Sequence, residues 1–156
     1  MSESVRIADE LRLAFDGEAW HGPALLEILG NVGAETAAAR PLPNAHSIWE
    51  LTLHIAAWEK VMLRRMAGET HTPTDKENFP VISDKTESAW KAAIQHLKDT
   101  HREFVREVHG IPESRLIEIV PGKDYDFYFM LHGAAQHIAY HGGQIALLKK
   151  AALTQR

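Results

Sequence analysis

The stretch from Phe127 to Ala152 sets apolar residues alternately four and three apart, at Phe127, Leu131, Ala134, Ile138, Ile145, Leu148 and Ala152. That spacing suits an amphipathic helix with one continuous apolar seam, and such a seam must be covered by other elements. The seam position between Ile138 and Ile145 is His141, and His137 stands one turn before it. Residues four apart on a helix are neighbours, with Cβ atoms roughly 5–6 Å from each other. Two imidazoles so placed can share one metal ion. The alternative is a pair of histidines that line a core, and the spacing leaves both open.

Three further stretches carry seams of the same kind. Glu3 to Phe15 has Ile7, Leu11 and Ala14 on one face. A second long helix is expected to start at Ser47, where Glu50 completes a capping box, and to run to about Ala67 through Ile48, Leu51, Ile55, Trp58, Met62 and Arg65/Met66. His54 flanks that seam beside Leu51 and Ile55. A third, capped by Ser83 or Thr86, reaches His109 with Trp90, Ile94, Leu97, His101, Phe104 and Val108 along its seam. Short helical pieces are expected at Ala24–Leu29 and Ala34–Arg40. The segments Glu69–Ile82 and Ile111–Asp126 read as long loops, with a short extended piece within Arg115–Val120. Four long seams satisfy one another most economically as an all-α, four-helix bundle with long crossover loops and short extra helices, forming one domain over residues 1–156. Loops of that length are often functional.

Composition narrows the chemistry. There is no cysteine, so a metal site has only His, Asp, Glu or water to draw on, and thiol chemistry must borrow a small-molecule thiol. A net charge of -4 speaks against a general nucleic-acid binder. No apolar run approaches the length of a membrane span, and the first residues, MSESVRIADELR, lack the apolar core of a signal peptide, so a cytoplasmic location is expected. The unusual feature is ten histidines in 156 residues.

An open zinc site takes three protein ligands and leaves a position for water or substrate. His137 and His141 supply two from one helix, and His54 is the best third candidate. His101 is the rival; its charged neighbours Lys98, Asp99, Arg102 and Glu103 suggest a packing residue near a bundle edge. His132 lies five residues before His137, roughly 140° round the helix, and cannot share the ion through that face. Glu50, Glu59 and Gln144 lie near enough in sequence to orient the imidazoles, but read more readily as solvated or capping residues. Trp20, Trp49, Trp58 and Phe79 are candidates to wall a pocket, and Arg64, Arg65 or Lys123 to make its mouth basic.

The segments SIWELTLHIAAWE, ESAWKAAIQHL and LHGAAQHIAYHGGQIALLKK together resemble the DinB/YfiT-like superfamily of metalloproteins. The most specific part is H-x-x-x-H followed by G-x-Q-I-x-L-L, here His137, His141, Gly143, Gln144, Ile145, Leu147 and Leu148. The resemblance implies an up-down-down-up bundle, frequently homodimeric, with a divalent metal, zinc or nickel, held by His54, His137 and His141. It does not imply DNA binding; with the charge and hydropathy above, the expected partner is a small-molecule substrate, with no nucleic acid and no membrane. Some relatives are thiol-dependent transferases or isomerases, so a low-molecular-weight thiol is an expected co-substrate. A metal-dependent hydrolase and a non-catalytic, stress-induced metal-binding protein are the alternatives. Glu59 near the ion would favour hydrolysis; a basic mouth would favour a negatively charged thiol.

Overall fold

A computed structural model describes residues 1–154, and these are mostly helical, with no strand among them. Four long helices, α1 (Glu3–Asp16), α4 (Ile48–Met66), α6 (Glu87–Gly110) and α8 (Phe127–Thr154), are joined by segments that carry four short ones: α2 (Leu25–Leu29), α3 (Ala34–Ala38), α5 (Asp75–Asn78) and α7 (Glu113–Leu116). Packing runs in a ring: α4 lies on α6, α6 on α1, α1 on α8 and α8 on α4. Each long helix buries most of the seam expected of it, with Trp58, Ile94 and Ala152 only half-buried. On α8 this is Phe127, Leu131, Ala134, Ile138, His141, Ile145 and Leu148, and on α6 Trp90, Leu97, His101, Phe104 and Val108. Each large apolar side chain so buried contributes about 1.5–3 kcal/mol.

Local signals set the boundaries. At the start of α4 the Glu50 amide donates to Ser47 Oγ at 3.2 Å while the Ser47 amide donates to Glu50 Oε2 at 2.7 Å, closing the capping box. Thr86 caps α6 by accepting from the Ala89 amide. Gly68 follows α4 with φ +95, a conformation that a side chain would strain.

Both long connections are more ordered than their composition suggests. Residues 69–82 contain α5, opened by a second capping box in which Thr74 and Glu77 exchange bonds. A single turn of helix between two prolines carries too few residues for any periodicity to register. Residues 111–126 contain α7, so Arg115 and Leu116 are helical where an extended piece was expected. What remains of that expectation is one isolated bridge, Ile119 with Asp126, in which the Val120 amide donates to the Tyr125 carbonyl at 2.9 Å. Among the described residues, no helix is long and apolar enough to cross a membrane.

His101 also departs from expectation. It is not at an edge but in the core, 5% exposed, stacked on Phe15 with ring centroids 3.7 Å apart. Its Nδ1 donates to Glu59 Oε1 at 2.6 Å, and Glu59 is itself only 1% exposed. The charged neighbours of His101 in sequence point away round the helix and say nothing of its own face. Burial pushes the Glu59 carboxyl above its usual range, opposed by the bond to His101. Breaking a buried pair strands its survivor, whereas replacing both members with apolar groups is often neutral. His101→Leu alone should therefore cost about 3–5 kcal/mol in chemical denaturation, and Glu59→Leu/His101→Leu should regain most of that loss. A double variant no better than the single would show that the pair is not the source of the effect.

Candidate metal centre

His54 and the pair on α8 face each other across the α4–α8 contact. His54 is buried in the middle of α4, and α8 turns His137 and His141 towards it. His137 Nε2 lies 3.1 Å from His54 Nε2 and 3.1 Å from His141 Nε2. All three residues offer a nitrogen within 4.8 Å of the others, the one such grouping of His, Asp and Glu among the described residues.

The outer nitrogens decide what the inner ones can do. His54 Nδ1 donates to the Asn78 carbonyl at 3.0 Å, so in the neutral ring its Nε2 keeps a bare lone pair. His141 Nδ1 donates to Gln144 Oε1 at 2.7 Å, which leaves its Nε2 bare as well. His137 Nε2 has at most one proton to offer two acceptors. Lone pairs thus meet without enough hydrogens between them, an arrangement that a cation relieves. Ligand nitrogens of a tetrahedral ion with bonds of about 2.0–2.1 Å stand about 3.3 Å apart, close to the spacing found. The donor set fits a divalent metal.

The rings are also held neutral. His137 is lowered from 6.5 to about 3, first by burial and then by the neighbouring His141 and His54. Burial is likewise the largest influence lowering His54 and His141, each opposed by the bond at its Nδ1, to Asn78 and Gln144 respectively. Metal ligation needs the unprotonated imidazole, so these environments favour it.

The surroundings were only partly expected. Phe79 stacks on His54 at 4.4 Å between centroids, and His46 stacks on Phe79 at 3.8 Å, so both border the centre. Trp58 approaches His54 edge-on and His137 at 6.2 Å, and its Nε1 donates to Asn78 Oδ1 at 2.8 Å. Tyr140 stands edge-on to His141 at 5.1 Å. Gln144 is a partner of the centre rather than a solvated residue. Glu59 is not near the centre in function: it lies five residues beyond His54, so it faces α6 and is bonded to His101. Glu50 serves the α4 cap and pairs with Arg40. Trp49 is core, against Trp90, and Trp20 is fully exposed, so neither walls the site. His132 packs away from the cluster, between Glu3 and Glu10 of α1. The contribution of Asn78, which holds His54 by its carbonyl and Trp58 by its side chain, had no signal in the sequence, because nothing marked residues 75–78 as a helix aimed at α4.

With an unfolded imidazole at 6.5 and the folded His137 near 3, the stability from keeping this ring neutral is complete above about pH 6.5 and is lost as pH falls towards 3. Metal-free protein should therefore weaken in urea titrations between pH 7 and 4, and His137→Gln should flatten that dependence. An unchanged slope in the variant would mean the ring is not buried neutral.

No curated protein and no solved structure matches the chain significantly. A family model does: that of the DinB superfamily matches residues 19–145, which include all three histidines and most of the ring of long helices. The chain belongs to the DinB superfamily.

Proposed function

We propose that His54, His137 and His141 hold a divalent metal ion, zinc or nickel, and that the protein is a metal-dependent enzyme, with transfer of a small-molecule thiol as the leading reading. The observation that carries this is the convergence of three imidazole nitrogens whose outer partners leave the inner lone pairs facing one another. Bound there, the ion supplies Lewis acidity, which lowers the pKa of a coordinated water or thiol. The protein's part is to aim and keep neutral the rings: Asn78 and Gln144 fix two tautomers, and Phe79 and Trp58 exclude water from one side.

In the transfer itself the thiol sulfur would bond to an electrophilic carbon, the leaving group would depart with its electron pair, and the thiol proton would pass to solvent. No cysteine is present to act instead of an external thiol. The hydrolytic reading is weakened because Glu59, its expected base, is engaged with His101.

An up-down-down-up course for the four long helices belongs to the same proposal. Trp49 meets Trp90 and Glu59 meets His101, which supports α4 and α6 running in parallel. Phe15 meets His101 while Ser4 donates to Glu113, which supports α1 opposing α6. His54 meets His141 while Arg65 reaches Tyr125, which supports α4 opposing α8. A homodimer and a cytoplasmic setting are part of the proposal too.

Metal analysis of the purified protein should find one ion per chain, lost in His54→Ala and in His141→Ala. Stoichiometric metal in both variants would rule out this ligand set. With metal bound, incubation of a panel of small thiols with an alkylating electrophile should give a metal-dependent conjugation rate at least tenfold over background. A rate unchanged by metal removal, for every thiol, would leave binding without transfer.

A further inference from the structure

Arg65 is 3% exposed, and none of the ion pairs of arginine among the described residues includes it. Its hydrogen bonds go to neutral acceptors. Nε and Nη2 donate to the His71 carbonyl at 3.1 and 3.0 Å, and Nη1 donates to the Tyr125 hydroxyl at 3.1 Å. A guanidinium carries five N–H groups and stays charged in proteins. Three are used, which leaves one on Nη1 and one on Nη2, a pair suited to the two oxygens of a carboxylate. A buried charge without a counter-charge is costly, and a fold seldom keeps one unless something completes it.

Arg65 also lines a cavity of about 200 Å³ that reaches His137, with Trp58, Met62, Phe129 and Met130 as its apolar wall. Trp58 links the two ends: its ring lies 5.6 Å from Arg65 Cζ and 6.2 Å from the ring of His137. The cavity therefore runs from a guanidinium that has an aromatic face beside it but no counter-charge to one of the three converging imidazoles, along aromatic and thioether side chains. A space of this volume admits a body about the size of one aromatic ring.

We propose that this cavity takes a substrate with a compact apolar body and a terminal carboxylate, that Arg65 receives the carboxylate through the free N–H on each of its two terminal nitrogens, and that the apolar body extends towards the metal centre. The assignment rests on the metal-dependent reading above for what happens at the far end, but anion recognition by Arg65 does not need the metal. Tyr125 holds Arg65 and has its own hydroxyl proton free for the same anion. The turn that carries Tyr125 is held by the bridge between Ile119 and Asp126.

The test is calorimetric titration of metal-free protein with benzoate and with benzamide, its neutral isostere. Benzoate should bind at least tenfold more tightly than benzamide, and Arg65→Gln should abolish that preference while leaving weak benzamide binding in place. Because Arg65 also secures the His71 carbonyl, the comparison of the two ligands on the unaltered protein stands by itself if the variant does not fold. Equal affinity for the two ligands, or no binding of benzoate, overturns the proposal. Repeating the titration with metal-loaded protein and with His141→Ala separates the two readings. Benzoate binding that requires bound metal and survives Arg65→Gln places the anion on the ion and overturns the role of Arg65, leaving the metal centre intact. Benzoate preference retained in His141→Ala and lost in Arg65→Gln supports Arg65 independently of the metal.

Discussion

The contact between α4 and α8 is governed by one electrostatic constraint: three imidazoles turn unprotonated nitrogens towards a single point. Packing alone does not require this. The α8 seam would be continued at residue 141 by any apolar side chain, and α4 would close on it more cheaply without His54. Keeping these neutral rings in place takes hydrogen bonds at the outer edges of two of them, and these come from α8 itself and from the short α5. Gln144 sits one turn beyond His141, and α5 exists to bring the Asn78 carbonyl over His54.

That dependence explains why a four-residue helix in a polar connection matters. Its capping box fixes where the turn begins, so Asn78 falls where its carbonyl meets His54 and its side chain meets the Trp58 indole. Phe79, the next residue, stacks on the same imidazole. Three contacts to the centre thus come from two successive residues of the chain, and the loop between α4 and α6 is long because it must fold back over α4 rather than merely cross to the next helix.

How much of this was legible depended on the range of the physics involved. The seams of α4, α6 and α8 could be read because helix periodicity is local, and His141 stood out by interrupting one of them. His54 could be offered only as a flanking residue, since its meeting with α8 is a long-range fact. His101 was rightly read as a packing residue but wrongly placed near an edge, for a related reason. Neighbours in sequence reported the solvated face of α6, whereas its own side chain enters the core and finds Glu59 on α4. The same long-range pairing removed Glu59 from the centre, because the five residues between it and His54 turn it to another face of α4.

The bundle thus holds buried polar side chains in two different conditions, and the difference separates structure from chemistry. Glu59 and His101 meet through one bond: a donor nitrogen meets an acceptor oxygen, the pair ties α4 to α6 and Phe15 covers it, while Glu59 Oε2 and His101 Nε2 stay buried without a partner. In the three-histidine cluster acceptors outnumber donors, and Arg65, over the Trp58 ring, has no anionic partner among the described residues, so each offers a place to something from outside the chain. One lacks a cation and the other an anion, and a single small cavity borders both. A fold optimised for stability alone would have filled that space with apolar side chains and dispensed with the desolvation of one guanidinium and three imidazoles. Retaining two complementary deficits on either side of Trp58 is intelligible when the missing partners are a metal ion and the acidic end of a substrate.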